Sequence, residues 1–198
     1  MTDINLRQHK KNKLRENIID SSLDMFCRRG FDETTIDDIT LSLEISKRTF
    51  FRYFPTKEDI VLSIYENLIE TAKRNNIQTI HSKNPIHTIK HAFCNLAMQY
   101  EKENNFYLKI ESLINKTPAI RAKRIEKFVQ YGEEIYNSYG FTLKKNAEKV
   151  FQKNIMIYFS MGIFESAITT WTTSNGKTNL SKIIDDGFKL IDKKLHTS

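Results

Sequence analysis

An all-α fold is predicted for this chain, because helix-breaking residues are rare and apolar residues recur at helical spacing along most of its length. Its 198 residues include only six glycines and three prolines, and strand-like alternation is nearly absent. This length suits one large domain or two small domains that share a core. About nine helices are expected, three of them in an N-terminal domain and the others in a larger C-terminal helical domain.

The first helix is predicted from Lys13 to Arg29, where apolar residues form one stripe. The stripe consists of Leu14, Ile18, Ile19, Leu23 and Phe26. Gly30 is placed to end this helix, because glycine readily adopts the left-handed conformation after a helix C-terminus. The preceding residues 1–12 are polar and basic, and we expect them to form a mobile arm ahead of the helix.

A helix-turn-helix is predicted between Thr34 and Phe54. Thr34 and Thr35 can cap one short helix, and Ser46 can cap a second. The few residues around Glu44 leave room only for a tight turn, in which Glu44 would take a positive φ at a cost of about 1 kcal/mol. Two short helices joined in this way, the second opening with basic residues, are typical of a DNA-reading motif.

Candidate DNA contacts lie in and around the second helix of this motif. After the cap Ser46, the early residues Lys47, Arg48 and Thr49 are predicted to approach base edges. Contacts with the DNA backbone are predicted for Thr35, Arg52, Tyr53 and Lys57, and for Lys10, Lys11 and Lys13. The chain has a net charge of +7, but residues 1–60 hold as many acidic as basic side chains, so the positive charge of this region is concentrated where DNA contact is predicted.

Around this motif the sequence resembles the TetR family of transcriptional regulators. The resemblance rests on Met25-Phe26-Cys27-Arg28-Arg29-Gly30-Phe31, Thr34-Thr35, Ser46-Lys47-Arg48-Thr49-Phe50-Phe51-Arg52-Tyr53-Phe54 and Lys57-Glu58-Asp59, which together cover about the first third of the chain. Two positions depart from the family pattern. The turn holds Leu43-Glu44-Ile45 where Ala-Gly-Val is common, and Phe51 stands where tyrosine is frequent.

A long helix is expected to follow the motif and to link the two halves of the chain. Thr56 can cap it, and it is predicted to run from Lys57 toward Asn76. The domain boundaries predicted are 1–57 for the arm and helix-turn-helix, 58–81 for the linking helix and 82–198 for the C-terminal domain. Turn signals divide the latter into helices at about 86–102, 104–116, 119–138, 143–173 and 179–196.

The resemblance implies two further sites in the C-terminal domain, a homodimer interface on the last two helices and an inducer pocket in the aromatic-rich middle. Interface candidates are Phe159, Gly162, Ser166, Ile184, Phe188 and Ile191. Pocket candidates are Phe93, Met98, Phe106, Phe128, Tyr131 and Phe159. Plain core packing is the alternative for both sets. Glu111 and Glu165 are open as acidic partners of a cationic ligand.

Several functional classes lack their sequence signals. No apolar run is long enough for a membrane span, and the polar amino terminus does not resemble a secretion signal. His87 and His91 are four apart but lack the acid or cysteine pair of a zinc motif, and no phosphate-binding glycine loop occurs. We therefore expect no enzyme activity, no metal and no cofactor. Cys27 and Cys94 are expected to be reduced and buried, with a redox switch as the alternative.

The sequence thus predicts a cytoplasmic, homodimeric transcriptional regulator, a repressor in preference to an activator. It would bind a palindromic operator in double-stranded DNA and be released by an unidentified small-molecule inducer. One alternative is a ligand-independent DNA-binding regulator whose C-terminal domain only dimerises or binds a protein. Another is a helical enzyme or carrier, which requires the match in the amino-terminal third to arise by chance.

Overall fold

Nine α-helices make up the part of the chain that the computed structural model describes, residues 3–76, 84–138 and 147–195. The helices are α1 (Asp3–Arg29), α2 (Ile36–Ser42), α3 (Lys47–Phe51), α4 (Lys57–Asn76), α5 (Pro85–Lys102), α6 (Asn104–Asn115), α7 (Pro118–Ser138), α8 (Ala147–Thr173) and α9 (Leu180–Leu195). No strand occurs within these ranges. The all-α class is confirmed. The predicted start of the eighth helix, at residues 143–146, lies outside the described residues.

Helix α1 begins at Asp3 and not at Lys13, so the prediction of a non-helical arm is wrong for residues 3–12. This segment contains no glycine or proline, and half of its residues are good helix formers: Leu6, Arg7, Gln8, Lys10 and Lys11. The Gln8 side chain also donates a hydrogen bond to that of Asn12, one turn away, at 2.9 Å. Extending an existing helix needs no new nucleus, and good helix propensity is then sufficient.

The described helices belong to two compact units. The first contains α1 to α3, α4 up to Ile64, and the segment Leu113–Arg121 around the α6–α7 turn. The second contains Tyr65–Ser112 and the chain from Ala122 onward. Helix α4 therefore contributes residues to both units.

Apolar residues from α1, α2 and α3 and from the turns that follow α1 and α3 contribute to the core of the first unit. The buried members are Ile18, Ile19, Leu23, Phe26, Phe31, Ile39, Phe50 and Phe54. The rings of Phe26 and Phe31 lie 4.9 Å apart between centroids, and those of Phe50 and Phe54 lie 6.3 Å apart. Burial of each such side chain contributes roughly 1.5–3 kcal/mol, so this small core can hold the short helices α2 and α3 in place.

In the second unit, α9 turns its apolar stripe toward α5 and α8. Leu180, Ile184 and Phe188 are buried there. Gly187 permits close packing, because a Cβ at this position would lie 2.7 Å from Cγ2 of Ile163 on α8. Ile184 and Phe188, predicted as interface residues, are therefore core residues of their own unit. The side chain of Ile191 lies outside the described residues.

Neither cysteine is fully buried, which corrects the prediction from the sequence. Cys27 on α1 is exposed and Cys94 on α5 is half-buried. Cys27 follows the buried Phe26, and one residue along an α-helix turns the side chain by about 100° away from the core. Burial raises the pKa of the Cys94 thiol to about 11, so this thiol stays protonated at neutral pH.

The histidine pair lies on the outside of α5, with His87 exposed and His91 half-buried. In the described part of the chain, no group of three or more His, Cys, Asp or Glu side chains is arranged to hold a metal ion. Within the same ranges, no helix combines the length and apolar character that crossing a bilayer requires.

Candidate nucleic-acid interface and ligand pocket

Helix α2 starts at a reciprocal cap between Thr35 and Asp38. The backbone N–H of Asp38 donates to the Thr35 hydroxyl at 3.1 Å, and the backbone N–H of Thr35 donates to the Asp38 carboxylate at 2.9 Å. The hydroxyl and backbone hydrogen bonds from Thr35 hold the pKa of the Asp38 carboxyl below its usual value. Thr35, predicted to contact the DNA backbone, is exposed at this helix start.

A tight turn after α2 sets the position of α3. Glu44 has a φ of 53°, the left-handed conformation expected for it, and the backbone N–H of Ile45 donates to the carbonyl oxygen of Thr40 at 3.0 Å. Ser46 then caps α3, because the backbone N–H of Thr49 donates to its hydroxyl at 3.1 Å. The turn and cap together determine which residues open α3.

The first turn of α3 presents basic side chains to solvent. Lys47 and Arg48 are exposed, while Thr49 is half-buried and its hydroxyl lies 3.0 Å from that of Ser46. Lys47 forms an ion pair of 2.7 Å with Asp37 of α2, and both side chains are well exposed. An exposed pair of this kind contributes about 0–1 kcal/mol, so Lys47 can exchange Asp37 for another anion at little cost.

The remaining predicted backbone contacts divide into exposed and engaged side chains. Arg52 is exposed, with its guanidinium 5.3 Å from the centroid of the half-buried Tyr53 ring. Lys10, Lys11 and Lys13 are exposed on the first turns of α1. Lys57 is different, because its ammonium donates to the carbonyl oxygens of Phe31 at 2.7 Å and Thr34 at 3.2 Å.

The pocket candidates of the second unit separate into two groups. Phe93, Phe128 and Tyr131 are fully buried, and Phe164 lies 4.9 Å from both of the phenylalanine rings. By contrast, Met98, Phe106 and Phe159 are 53%, 36% and 39% exposed. The structure therefore brings three of the six candidates together in an aromatic core and leaves the other three at the surface.

A groove of about 350 Å³ lies between α4 and α7 within the second unit, with Ile69 and Tyr131 in its lining. Two ion pairs also line this groove. The ammonium of Lys127 lies 2.6 Å from the Glu66 carboxylate, and that of Lys73 lies 2.6 Å from the Glu134 carboxylate. Tyr131 is the one pocket candidate in its lining.

Five helices of the second unit contribute to a buried polar cluster. The Arg124 guanidinium donates to the Glu111 carboxylate and, at 2.7 Å, to that of Glu165. The hydroxyls of Tyr65 and Tyr100 donate to Glu111 at 3.0 and 2.9 Å. Glu111 and Arg124 are 0% and 1% exposed, so these charges depend on one another for their stability.

The cluster shifts the titration of its members. Burial and the negative charge of Glu111 raise the pKa of Tyr65 and of Tyr100 well above the usual value. For Arg124, burial alone would lower the pKa, but the neighbouring Glu111 charge raises it overall. At neutral pH the tyrosines are therefore neutral donors and Arg124 is a cation.

Arg124 is the functional candidate that the sequence analysis missed. Its signal was present, because Arg124, Phe128, Tyr131 and Ile135 are spaced by four, three and four residues on α7, and the last three are apolar or aromatic. A charged residue in line with an apolar stripe must find a buried partner. Glu111 and Glu165, which the sequence leaves open as acidic partners of a cationic ligand, bind this arginine in the structure.

The interface candidates on α8 lie on an exposed apolar face. Phe151, Ile155, Tyr158 and Phe159 are 64%, 50%, 63% and 39% exposed. Gly162 and Ser166 continue this face, and a Cβ at Gly162 would meet nothing within 4 Å. Because large apolar side chains rarely cluster on the surface of an isolated protein, this face is a candidate contact surface.

Sequence comparisons agree with the geometry of the first unit. The model of the family described as "Bacterial regulatory proteins, tetR family" matches residues 18–64. The transcriptional regulator TcmR of Streptomyces glaucescens is 38% identical over 58 residues, which cover 29% of this chain and 26% of TcmR. IcaR of Staphylococcus epidermidis, negative regulator of the biofilm operon icaADBC, is 35% identical over 54 residues, which cover 27% of this chain and 29% of IcaR. The matches thus span between a quarter and a third of these relatives' own length.

Solved structures extend the likeness to most of the chain at the level of the fold. A TetR-family repressor of Thermus thermophilus, FadR, in complex with lauroyl-CoA, is 22% identical with a TM-score of 0.55, covering 89% of this chain and 92% of that one. A regulator from Syntrophomonas wolfei is 17% identical with a TM-score of 0.60, covering 95% and 97%. These relatives are regulators and not enzymes, as expected for this chain. The family match and the capped helix-turn-helix show that residues 18–64 form a DNA-binding domain of the tetR family of bacterial regulatory proteins, and the solved structures share the all-helical fold of the chain.

Proposed function

We propose that this protein is a transcriptional regulator that represses genes by binding a palindromic operator as a homodimer and that a small-molecule inducer releases it. The observation that carries the proposal is the Ser46-capped start of α3, where Lys47 and Arg48 stand exposed on a short helix fixed by a tight turn. A rigidly held helix with basic residues in its first turn suits entry into the major groove of DNA.

The exposed side chains around α3 suggest a division of DNA contacts. Lys47, Arg48 and Thr49 would contact base edges. Phosphate contacts would come from Arg52, Tyr53 and Thr35, and from Lys10, Lys11 and Lys13 on α1. Base contacts carry sequence information and phosphate contacts position the protein, so the two groups should differ when mutated.

Homodimerisation is supported by the exposed apolar face of α8. This face includes Phe151, Ile155, Tyr158 and Phe159, and Gly162 leaves room for the backbone of a second helix. Two α3 helices brought about 34 Å apart by a dimer would meet successive major grooves, which explains why the operator should be palindromic. A cytoplasmic location follows from this proposal, since bacterial DNA lies there.

The ligand is proposed to bind the second unit, where aromatic rings and a polar cluster offer the mixture of apolar and polar groups common in ligand sites. Ligand binding would shift α4, the helix that contributes residues to both units, and so change the spacing of the two reading heads. Lauroyl-CoA, the ligand named for the Thermus thermophilus FadR structure, is a suitable first probe.

The test is a gel-shift titration with the DNA immediately upstream of the protein's own gene, in the presence of competitor DNA. The wild-type protein should form a specific complex containing two protomers. The double variant K47A/R48A should lose this complex, by roughly 30-fold or more in affinity, since each good base contact contributes about 1–3 kcal/mol of discrimination. The same variant should remain dimeric in light scattering. Replacement of the exposed Lys182 on α9 by alanine is the matched control and should bind normally.

A ligand-independent regulator, whose second unit only dimerises or binds a protein, is the second candidate. The direct contacts of Phe93 and Phe128 with Phe164 favour it, because these rings already pack against one another in place of a ligand. Trp171 is the single tryptophan and is fully buried, with Tyr100 5.8 Å away, so its fluorescence reports on this interior. A probe that changes Trp171 emission and weakens operator binding supports the inducible regulator, whereas a purified protein whose operator affinity no probe alters supports this second candidate.

A further inference from the structure

The carboxylate of Asp37 stands among the residues predicted to contact DNA. The Asp37 side chain is 66% exposed on α2, and its Oδ1 lies 2.7 Å from Nζ of Lys47, the first residue of α3. Both side chains line a groove of about 440 Å³ in the first unit, together with Thr35 and Lys57. The three other residues are all predicted DNA contacts, so Asp37 belongs to the same surface.

The start of α2 does not depend on Asp37. The cap is formed by Thr35 and Asp38, each of which accepts a hydrogen bond from the backbone N–H of the other. Successive residues of an α-helix are about 100° apart around its axis, so the Asp37 side chain is turned away from that of Asp38. A negative charge in the first turn interacts favourably with the helix dipole, but Asp38 already supplies one. The contact between Asp37 and Lys47 therefore needs another explanation.

A carboxylate on this surface has an electrostatic cost when DNA approaches. Binding that is independent of sequence comes from lysine and arginine side chains that neutralise phosphates, and the negative charge of Asp37 opposes it. Phosphates offer only hydrogen-bond acceptors, whereas base edges in the major groove offer donors as well. Among these donors is the N4 amino group of cytosine, for which aspartate is a suitable acceptor.

The ion pair of Asp37 and Lys47 is complementary to one edge of a G·C base pair. A lysine ammonium has three N–H donors, so two remain when Asp37 accepts one of them. Guanine presents two acceptors, N7 and O6, and lysine is a common partner of both. Beside them lies the N4 donor of the paired cytosine, about 2.9 Å from O6 because the two are hydrogen-bonded. This spacing is close to the 2.7 Å between the ammonium and the carboxylate.

The other base pairs present a different order of groups in the major groove. In an A·T pair the N6 donor of adenine lies between the acceptors N7 of adenine and O4 of thymine, so the ammonium would face a donor. A reversed C·G pair presents its groups in the opposite direction. Two donors followed by one acceptor, as Lys47 and Asp37 provide, therefore match one of the four base-pair orientations.

We propose that Asp37 is a specificity-determining residue, which accepts a hydrogen bond from cytosine N4 while Lys47 donates to N7 and O6 of the paired guanine, once in each half of the operator. The inference rests on the DNA-binding function proposed above and adds a base contact from α2 to those of α3.

The experiment begins with selection of duplexes from a random pool by the wild-type protein, which defines the half-site. Each cytosine of the half-site is then replaced by 2-pyrimidinone, which lacks the N4 amino group, and each guanine by 7-deazaguanine, which lacks N7. Affinities of these duplexes are measured for the wild-type protein and for Asp37→Ala and Lys47→Met. Both variants should keep the wild-type melting temperature, because an exposed ion pair contributes little to stability.

At one G·C pair of the half-site, loss of the N4 amino group should weaken wild-type binding about tenfold and leave Asp37→Ala nearly unaffected. Loss of N7 at the paired guanine should weaken the wild-type protein and leave Lys47→Met nearly unaffected. The matched control is Asp24→Ala, which removes an exposed carboxylate from an ion pair with Arg28 outside the groove and should keep the wild-type pattern.

Three results would overturn the inference: a half-site without a G·C pair, wild-type binding that is indifferent to the N4 amino group, or an equal loss in Asp37→Ala. If Asp37 only repels phosphates, Asp37→Ala will bind every duplex more tightly and still lose affinity with the amino group. A wild-type protein that enriches no sequence would refute the proposed function itself, whereas a selected operator with these results would refute the role of Asp37 alone.

Discussion

The two units of this protein use polar side chains in opposite ways. In the first unit, residues three positions apart at the surface form the caps Thr35–Asp38 and Ser46–Thr49, in which Thr35 and Ser46 are exposed and Asp38 and Thr49 are half-buried. These caps fix where α2 and α3 begin. In the second unit, Arg124 binds Glu111 and Glu165 from different helices; Arg124 and Glu111 are fully buried and Glu165 is half-buried. Local polar contacts therefore specify secondary structure, whereas the buried contacts select one arrangement of helices among those that an apolar core would allow.

The largest effect on stability is expected at Arg124, in the buried cluster of the second unit. Arg124→Met removes the cation from two carboxylates and leaves Glu111 buried without its ion-pair partner. We expect a loss of about 3–5 kcal/mol in the free energy of unfolding, measured by urea denaturation. The matched control is the exposed Arg121 of the same helix, whose replacement by methionine should change stability by less than about 0.5 kcal/mol.

The double variant Glu111→Gln, Arg124→Met sharpens this prediction. Because Glu111→Gln removes the charge that Arg124→Met leaves unpaired, the double variant should be more stable than the sum of the single effects implies. Additive losses of unfolding free energy would show that the two side chains contribute independently. That result would contradict the conclusion that the buried charges of Glu111 and Arg124 depend on one another.

A second prediction concerns alkaline pH and the buried tyrosines of the second unit. The pKa of Tyr65 and Tyr100 is raised in the folded protein, chiefly by burial, so their stabilising effect is complete below the unfolded value near 10 and is lost as the pH rises above it. Each tyrosine should lower stability by up to about 1.4 kcal/mol per pH unit in that range. Thermal unfolding between pH 9 and pH 11.5 should show this decline in the wild-type protein and a shallower one in Y65F/Y100F. Equal declines in both proteins would contradict it.

The smallest predicted effect lies in the first unit, at the α2 cap. Thr35→Ala should cost about 1 kcal/mol, while Thr35→Asn should restore most of it, since asparagine is also a good N-cap residue. The pKa of Asp38 is lowered, so its contribution is present above the unfolded value of 3.8 and is lost as the pH falls through the folded value. Unfolding followed from pH 6 to pH 2 should therefore depend on pH less steeply in Thr35→Ala. A wild-type pH profile in that variant would mean that groups other than Thr35 lower the pKa of the Asp38 carboxyl.

Residues close in sequence account for most of what could be predicted about the fold. The starts of α2, α3 and α4 follow from the capping residues Thr35, Ser46 and Thr56. The break after α1 follows from Gly30, whose φ is +100°. Only the start of α1 was wrong, because a hydrophobic stripe marks where a helix packs and does not mark where it begins. Residues outside the stripe can still be helical when their propensity is high.

The roles of individual side chains were harder to predict than the helices. The apolar stripes of α8 and α9 look alike in sequence, yet Phe151 and Ile155 on α8 are exposed while Ile184 and Phe188 on α9 are buried. Periodicity shows that a helix has an apolar face but does not identify the surface that covers it. Lys57 shows the same limit, since its predicted DNA contact competes with the carbonyls of Phe31 and Thr34.

The sequence by itself determined the helical class, the starts of α2 and α3 and the resemblance of the amino-terminal third to the TetR family, because caps, turns and short motifs act over a few residues. Only the tertiary structure decided that Arg124 joins Glu111 and Glu165, that Lys57 holds a distant turn and that the α8 stripe faces outward. The physical reason is distance along the chain. The contacts of Arg124 and Lys57 join residues 13 to 41 positions apart on different elements, so they depend on how the helices pack and leave little trace in local sequence pattern.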